Sequence, residues 1–531
     1  MLTRVPAKFV TPAAVKAMLS DGKEVALIDV REELIYSQSH LLWARCVPLS
    51  RLELKFARLV PRKGTRIVLV DDNDGLAARA AAVLAENGYS EVAILDGGND
   101  AWAAAGYELF SGVYVPSKAF GEFIEHDCDT PNISADELAA LIRDRADMVI
   151  LDSRPLDEFS RVSIPTATNV PGAELVLRAR DMAPSPDTLV VVNCAGRTRS
   201  IIGAQSLINA GLPNKVVALR NGTMGFTLAG HSCDSGKTRQ APPPSTDALA
   251  WAQSAAAEVA KRHGVIRIDA AALARFRDES EERTLYLFDV RDPPEYAAGH
   301  VAGAVSAPGG QLVQATDQYV GTLGARIVLV DDLEVRAVMT GSWLRQMGFR
   351  DVFVLVEKGS EREVPPAPIL AAEPAADQRI DATQLAELLA RNEATVVDLS
   401  PSREYLKGHI PGAWFAIRAR LAHALGKIAP SGTLVLTSED GVLAGIAAAE
   451  AAALTGVPVR FLAGGNGAWQ AAGQRLSTEP RMADEPVDTW LKPYERANNV
   501  REAMNEYLRW EVDLLPSIAR DGTADFAQFK P

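Results

Sequence analysis

Most of this chain of 531 residues is one segment written four times, and an internal repeat limits the fold more than any single motif does. Each copy opens with a short amphipathic helix that leads to an apolar strand ending in Asp. The four strands read Ala26-Leu-Ile-Asp29-Val-Arg31, Val149-Ile-Leu-Asp152-Ser-Arg154, Leu287-Phe-Asp289-Val-Arg291 and Val396-Val-Asp398-Leu-Ser400, so the fourth copy lacks the Arg. A turn segment follows, clearest as Glu295-Tyr-Ala-Ala-Gly-His300-Val-Ala-Gly-Ala304 and Glu404-Tyr-Leu-Lys-Gly-His409-Ile-Pro-Gly-Ala413, and drifted to Glu158-Phe-Ser-Arg-Val-Ser-Ile-Pro-Thr-Ala167 in the second copy. His300 and His409 lie in these turns, where structural hydrogen bonding is the simpler role.

A second apolar strand comes next: Ile67–Val70, Leu189–Val192, Ile327–Val330 or Leu434–Leu436. Its continuous β-branched run suits burial on both faces, which implies a parallel sheet covered by helices. A short loop then enters a helix stopped by Gly88, Gly211, Gly348 or Gly456, each where a left-handed residue is expected, and another strand follows at once. Strand, helix and strand with short joints make a βαβ unit. The copies close on Gly97-Gly-Asn-Asp-Ala-Trp102 and Gly464-Gly-Asn-Gly-Ala-Trp469, weakened to Asn221-Gly-Thr-Met-Gly-Phe226 and nearly erased around Gly359.

Pro and polar residues cluster at 116–132, 240–246 and 365–377, which read as linkers. Ser245 to His263 reads as a connecting helix, capped by Ser or Thr and ended by Gly264, with spacing as its role. The tail beyond Ser477 is unlike the repeats and rich in aromatics: Trp490, Tyr494, Tyr507, Trp510, Phe526 and Phe529. Val500, Met504 and Leu508 recur at helical spacing, so a helix docked on the repeats or on a second subunit is expected, and a homodimer through this tail with it.

Charge and cysteine usage exclude several classes. A formal charge of −13 argues against a general footprint for nucleic acid or anionic lipid, so an anionic substrate needs a local basic site. Cys46, Cys128, Cys194 and Cys233 form no Cys-x-x-Cys pair and too sparse a set for a disulfide framework, which fits a reducing compartment. Met1-Leu-Thr-Arg-Val-Pro6 opens no cleavable apolar leader, and no window approaches the ~18 apolar residues of a membrane span, so a cytoplasmic protein is expected.

In an open α/β sheet, ligands collect beyond the carboxyl ends of the strands, where a loop entering a helix points N–H groups at an anion. The loop after the second apolar strand is that place. Aligning the strands puts Asp72, Cys194, Asp332 and Glu439 at one position, and only the second copy offers a nucleophile. Its loop reads Cys194-Ala195-Gly196-Arg197-Thr198-Arg199. Helix dipoles and the two guanidinium groups favour thiolate over thiol, and the same field draws an anion. The carboxylates in the other three loops are no comparable nucleophile and repel an anion, so those copies read as inactive. Asp152 and Arg154 read as a strand-end ion pair that also supports the site. Cys128 and Cys233 read as inert thiols, with resolution of an oxidised Cys194 as the alternative.

The Asp-x-Arg strand end, the Glu-[Tyr/Phe]-x-x-Gly-His turn, the Cys loop and the Gly-Gly-x-x-Ala-Trp ending together resemble rhodanese. The resemblance implies an α/β fold of four tandem rhodanese-like modules, each a parallel sheet flanked by helices, plus a C-terminal helical tail. The modules fall at 8–112, 130–232, 265–364 and 378–476, with the connecting helix at 245–264 and the tail at 477–531. It implies a sulfurtransferase in which Cys194 takes a sulfane sulfur from thiosulfate or a similar anionic donor as a persulfide and passes it to cyanide or a thiol. Ala195, Gly196, Arg197, Thr198 and Arg199 would bind the donor, with no metal or organic cofactor and no nucleic-acid or membrane partner. The related phosphatases use a Cys-x5-Arg loop one residue longer, whereas Arg199 closes a six-residue loop and Cys194 plus six is Ser200. At Glu158 the two-domain thiosulfate enzymes carry a substrate-binding Arg. A non-catalytic or redox-regulatory scaffold that binds a protein partner is the competing class.

Overall fold

The Val- and Ile-rich runs form the centres of four separate sheets, because strands buried on both faces need apolar side chains on both. In the computed structural model, which describes residues 8–364 and 366–527, the third module orders its strands Ile266–Ile268, Val352–Val356, Arg326–Asp331, Leu285–Asp289 and Val305–Ser306, all parallel. The other modules repeat that order. Phe529, Pro365 and the opening Met1–Pro6 lie outside the described residues. Among the described residues no helix is long and apolar enough to cross a membrane.

Gly88, Gly211 and Gly348 end their helices with φ of +83°, +74° and +97°, as their left-handed role requires. Gly456 does not. The helix Val442–Leu454 ends instead on an extended Thr455.

Other expectations give way to contacts made across the chain. The stretch 116–132 is no linker: Val115–Cys128 is a largely buried helix, because Pro116 sits in its first turn, where a missing N–H costs nothing. Gly121 of this helix lets it approach the second module closely, since a Cβ there would lie 2.8 Å from Thr198 Cγ2. The Thr246–His263 helix is capped by Ser245 and Gly264 as expected, but it does more than space the modules. Ala248, Ala252, Ala256 and Val259 bury its apolar stripe, and the last three join one core shared by modules two and three. The fourth module outruns its expected end at 476, because Arg481–Met482 adds a parallel edge strand beside Trp414–Phe415. Thr322–Leu323 of the third module pairs antiparallel with Val25–Ala26 of the first.

Two further joints, between modules two and three and between modules one and four, are made by side chains and close backbone. Modules two and three meet at Gly172 and Gly310, and Trp343 Nε1 donates to Ser206 Oγ at 2.9 Å. Modules one and four meet through Arg418, whose two Nη groups donate to Glu53 at 2.6 and 2.7 Å.

The tail forms helices Val500–Val512 and Leu514–Asp521. Met504 and Leu508 pack on Met224 of module two, and Leu514 and Ile518 join the core of module one. The docking expected of the tail is thus made on modules one and two.

Candidate active site

The Cys194 loop leaves the strand Leu189–Asn193 and enters the 12-residue helix Thr198–Asn209 within four residues, so the helix N-terminus faces the loop. Cys194 is buried, and its thiol donates to Ser200 Oγ at 3.5 Å. Ser200 in turn donates to Arg197 O at 2.7 Å. The sequence carries a signal for Ser200 only in hindsight, as a hydroxyl in the first turn of the helix that the loop enters.

The two loop arginines part company. Arg197 turns away to the Val115–Cys128 helix, where Glu122 takes Nε and Nη2 at 2.7 Å each, Glu125 takes Nη2 as well, and Asn221 Oδ1 accepts from Nη1 at 3.1 Å. Two carboxylates thus hold in place the charge of Arg197, which the sequence set among the donor-binding residues. They come from a helix that composition had marked as linker.

Arg199 stays at the mouth. Its Nη2 donates to Glu158 Oε2 at 2.7 Å, and its Nη1 donates to Gln311 Oε1 of module three at 3.0 Å. Burial works against its charge, but Glu158 and then the Cys194 sulfur outweigh burial and raise its pKa. Burial alone would push the Glu158 carboxyl up. Arg199, followed by Lys492 and Arg154, reverses this and holds it down to about 2. Lys492 Nζ reaches Glu158 Oε1 at 3.5 Å from the tail.

The tail also roofs the loop. Glu511 pairs with Lys118 Nζ at 3.0 Å and accepts from Thr198 Oγ1 at 3.4 Å and Tyr507 OH at 3.2 Å. A Cβ at Gly196 would lie 2.9 Å from Met224 Cε and 3.2 Å from Glu511 Oε2, so only glycine passes beneath this roof without displacing it. Spacing had assigned the tail to docking and gave no sign that it reaches the site.

Asp152 and Arg154 form a buried pair, Nε to Oδ1 at 2.8 Å and Nη2 to Oδ2 at 2.7 Å, and Asn193 Nδ2 donates to Asp152 Oδ2 at 2.8 Å. His300 and His409 are structural as expected, each stacked on Tyr296 or Tyr405 at 4.0 and 3.9 Å with Nδ1 on that tyrosine's carbonyl. All four cysteines are free thiols, and burial pushes Cys128 and Cys233 up, away from ready ionisation.

Strand register corrects the alignment of the loops by one residue. The strand-end Asp pairs with Val70, Asn193, Val330 and Thr437 in modules one to four, so the residues at the thiol's place are Asp71, Cys194, Asp331 and Ser438. The next backbone contacts agree: Cys194 O accepts from Thr223 N as Asp71 O does from Asn99 N and Ser438 O from Asn466 N. Asp72, Asp332 and Glu439 stand opposite Ala195 instead. A one-residue slip along adjacent acidic residues leaves composition unchanged and shows only in the hydrogen bonds.

These substitutes fill the loops they occupy. Asp71 accepts from Asn73 N and Ala77 N at 3.0 and 2.9 Å, and Asp331 from Leu333 N and Arg336 N at 3.2 and 2.8 Å. A carboxylate of the chain thus takes helix amides that an external anion would otherwise meet. The contacts across the joint between modules two and three are reciprocal. Arg336 repeats Arg199, meeting Glu295 at 2.6 Å within its module and Glu174 across the joint at 2.8 Å. Where Arg199 meets neutral Gln311, Arg336 meets an acid, so Arg199 is the less neutralised of the two.

With four such sheets and one thiol loop described, the sequence matches the rhodanese-like domain over residues 11–105, 134–229, 270–361 and 381–472. The chain belongs to the rhodanese family. A crystal structure of a thiosulfate sulfurtransferase from Pseudomonas aeruginosa is similar over 98% of this chain and 99% of its own, with 49% sequence identity and a TM-score of 0.95. An uncharacterised Bacillus subtilis protein is 35% identical over 80 residues, which span 15% of this chain and 62% of that protein. The rhodanese family fold therefore accounts for all four modules, and the full-length likeness extends to the tail.

Proposed function

We propose that this chain is a sulfurtransferase of the rhodanese type, working through Cys194 in a reducing, cytoplasmic setting. The observation that carries the reading is that Cys194 is the one thiol among four structurally equivalent loop positions. The whole-length likeness to a protein described as thiosulfate sulfurtransferase supports it. In the reaction the Cys194 thiolate attacks the outer sulfur of thiosulfate, the S–S bond breaks, and sulfite leaves with the electron pair. A cysteine persulfide remains. Cyanide or a thiolate then attacks the terminal sulfur, forming thiocyanate or a new persulfide and returning the Cys194 thiolate.

The backbone of Ala195, Gly196 and Thr198, at the start of the helix, stabilises anionic sulfur, and Arg199 attracts the donor. Arg197 anchors the loop. Ser200 Oγ, beside the thiol, takes part in orienting it. Asp152 and Arg154 support the strand end from which the loop springs.

The test is thiosulfate:cyanide turnover with Cys194→Ser. Loss of transfer with an unchanged melting curve is the expected result, whereas substantial remaining turnover refutes the assignment. A scaffold that merely binds a partner would show no turnover in the wild type.

A further inference from the structure

The repeats permit a comparison inside one molecule, because the same Asp-x-Arg strand end faces three different loops. In module one, Arg31 uses Nε and Nη2 on Asp29 and aims Nη1 at the second loop residue, Asp72, touching both carboxylate oxygens at 2.8 and 2.9 Å. Asn99 Nδ2 adds a third hydrogen bond to Asp72 at 3.1 Å. In module three, Arg291 is held the same way on Asp289, and its Nη1 lies 3.8 Å from Asp332. Module one therefore seats one of its own carboxylates on this guanidinium, whereas in module three Asp332 is taken by Arg336 Nη2 at 2.9 Å and Arg291 Nη1 has no hydrogen-bond partner among the described residues.

Module two keeps the guanidinium and deletes the carboxylate. Arg154 is 1% exposed and holds Asp152 through Nε and Nη2, while Nη2 also donates to Val162 O at 2.6 Å. No hydrogen bond among the described residues engages Nη1, and Ala195 stands where Asp72 stands in module one. Thr223 replaces Asn99, and its hydroxyl makes only a 3.4 Å contact to Ala195 O. A free donor edge on a buried guanidinium needs an acceptor or water, since a buried donor left without one is costly.

Resting on the sulfurtransferase reading above, we infer that Arg154 Nη1 and Thr223 Oγ1 form a seat for the anionic end of the donor, a sulfonate or carboxylate group. Asp72 on Arg31 is that complex made within the chain. Arg154 thereby acts on the substrate itself as well as on Asp152. The seat lies one residue along the loop from the thiol, so an anionic group there leaves the rest of a small donor beside Cys194. In module one the corresponding place is occupied from within.

Ala195→Asp tests the seat by filling it as module one does, and Ala195→Asn supplies the same bulk without charge. The full chain is assayed in two ways. In thiosulfate:cyanide turnover, A195D should show a KM for thiosulfate tenfold or more above that of A195N, with little difference in kcat between the two variants. At Cys194, followed by peptide mass spectrometry, the ratio of alkylation by anionic iodoacetate to that by neutral iodoacetamide should fall about tenfold in A195D and hold in A195N. If A195D does not melt cooperatively, Thr223→Val carries the test, with KM expected to rise about threefold and kcat unchanged. Equal behaviour of A195D and A195N, or an unchanged alkylation ratio, overturns the seat. The alkylation ratio needs no sulfur transfer, so a wild type without turnover whose ratio still falls in A195D refutes the sulfurtransferase reading and upholds the seat.

Discussion

Replacing each loop arginine by Met separates two roles that their spacing from Cys194 makes look alike. Arg197 is buried with Glu122 and also meets Glu125, so its positive charge is more than balanced where it stands. Arg197→Met leaves the buried Glu122 without its partner, and breaking such a pair costs about 3–5 kcal/mol. If modules two and three unfold together, through the core they share, that corresponds to a melting temperature lower by roughly 6–20 °C. The thiol, however, loses no net positive field. Arg199 is different: with Arg154 and Lys492 it brings three cations to two carboxylates, Asp152 and Glu158. Removing it takes away the excess, and with it the pull on an anionic reagent, a change on the order of 1.4 kcal/mol, or tenfold in rate. The assay is the ratio of Cys194 alkylation by anionic iodoacetate to that by neutral iodoacetamide at one pH, read beside a thermal melt. Arg199→Met should lower the ratio about tenfold, and Arg197→Met should leave it in place while lowering the melt. A ratio that falls equally in both variants, or an Arg197→Met protein that melts like wild type, would refute this division of labour.

Three further outcomes follow from the same contacts. Asp71→Asn and Ser438→Ala should leave sulfur transfer within twofold of wild type, because these positions lie in loops with no thiol, and a loss as deep as that of C194S would contradict it. Burial pushes the Glu32 carboxyl up to about 7, with Ser50 opposing. A carboxyl raised on folding stabilises below its unfolded value near 4.5 and loses that contribution as pH rises through 7. Stability should therefore fall between about pH 4.5 and 7 by up to ~3 kcal/mol from this group, and denaturant titrations of Glu32→Gln should show that slope reduced. Leu508→Ala should cost about 2–5 kcal/mol by opening a cavity between tail and module two, and loosening of the roof over Gly196 should appear as faster alkylation of Cys194.

The sequence by itself determined what is local or periodic. The apolar runs, the glycine stops and the four Asp strand ends specify strand, helix and strand within each module, since each rests on side-chain period and backbone freedom over a few residues. The thiol and its short loop into a helix were legible for the same reason. Tertiary structure alone decided which modules pair, where the tail lies and which charges meet. Glu122 and Glu125 come to Arg197 from a helix that reads as a linker, because Pro116 in a first turn is compatible with either role. Glu511 reaches the loop from more than 300 residues away, and nothing in its surroundings along the chain marks it. The register that sets Asp71 rather than Asp72 opposite Cys194 is likewise a property of hydrogen bonds between strands. Pairing energy between elements distant in sequence is what selects among arrangements that local propensity leaves equal.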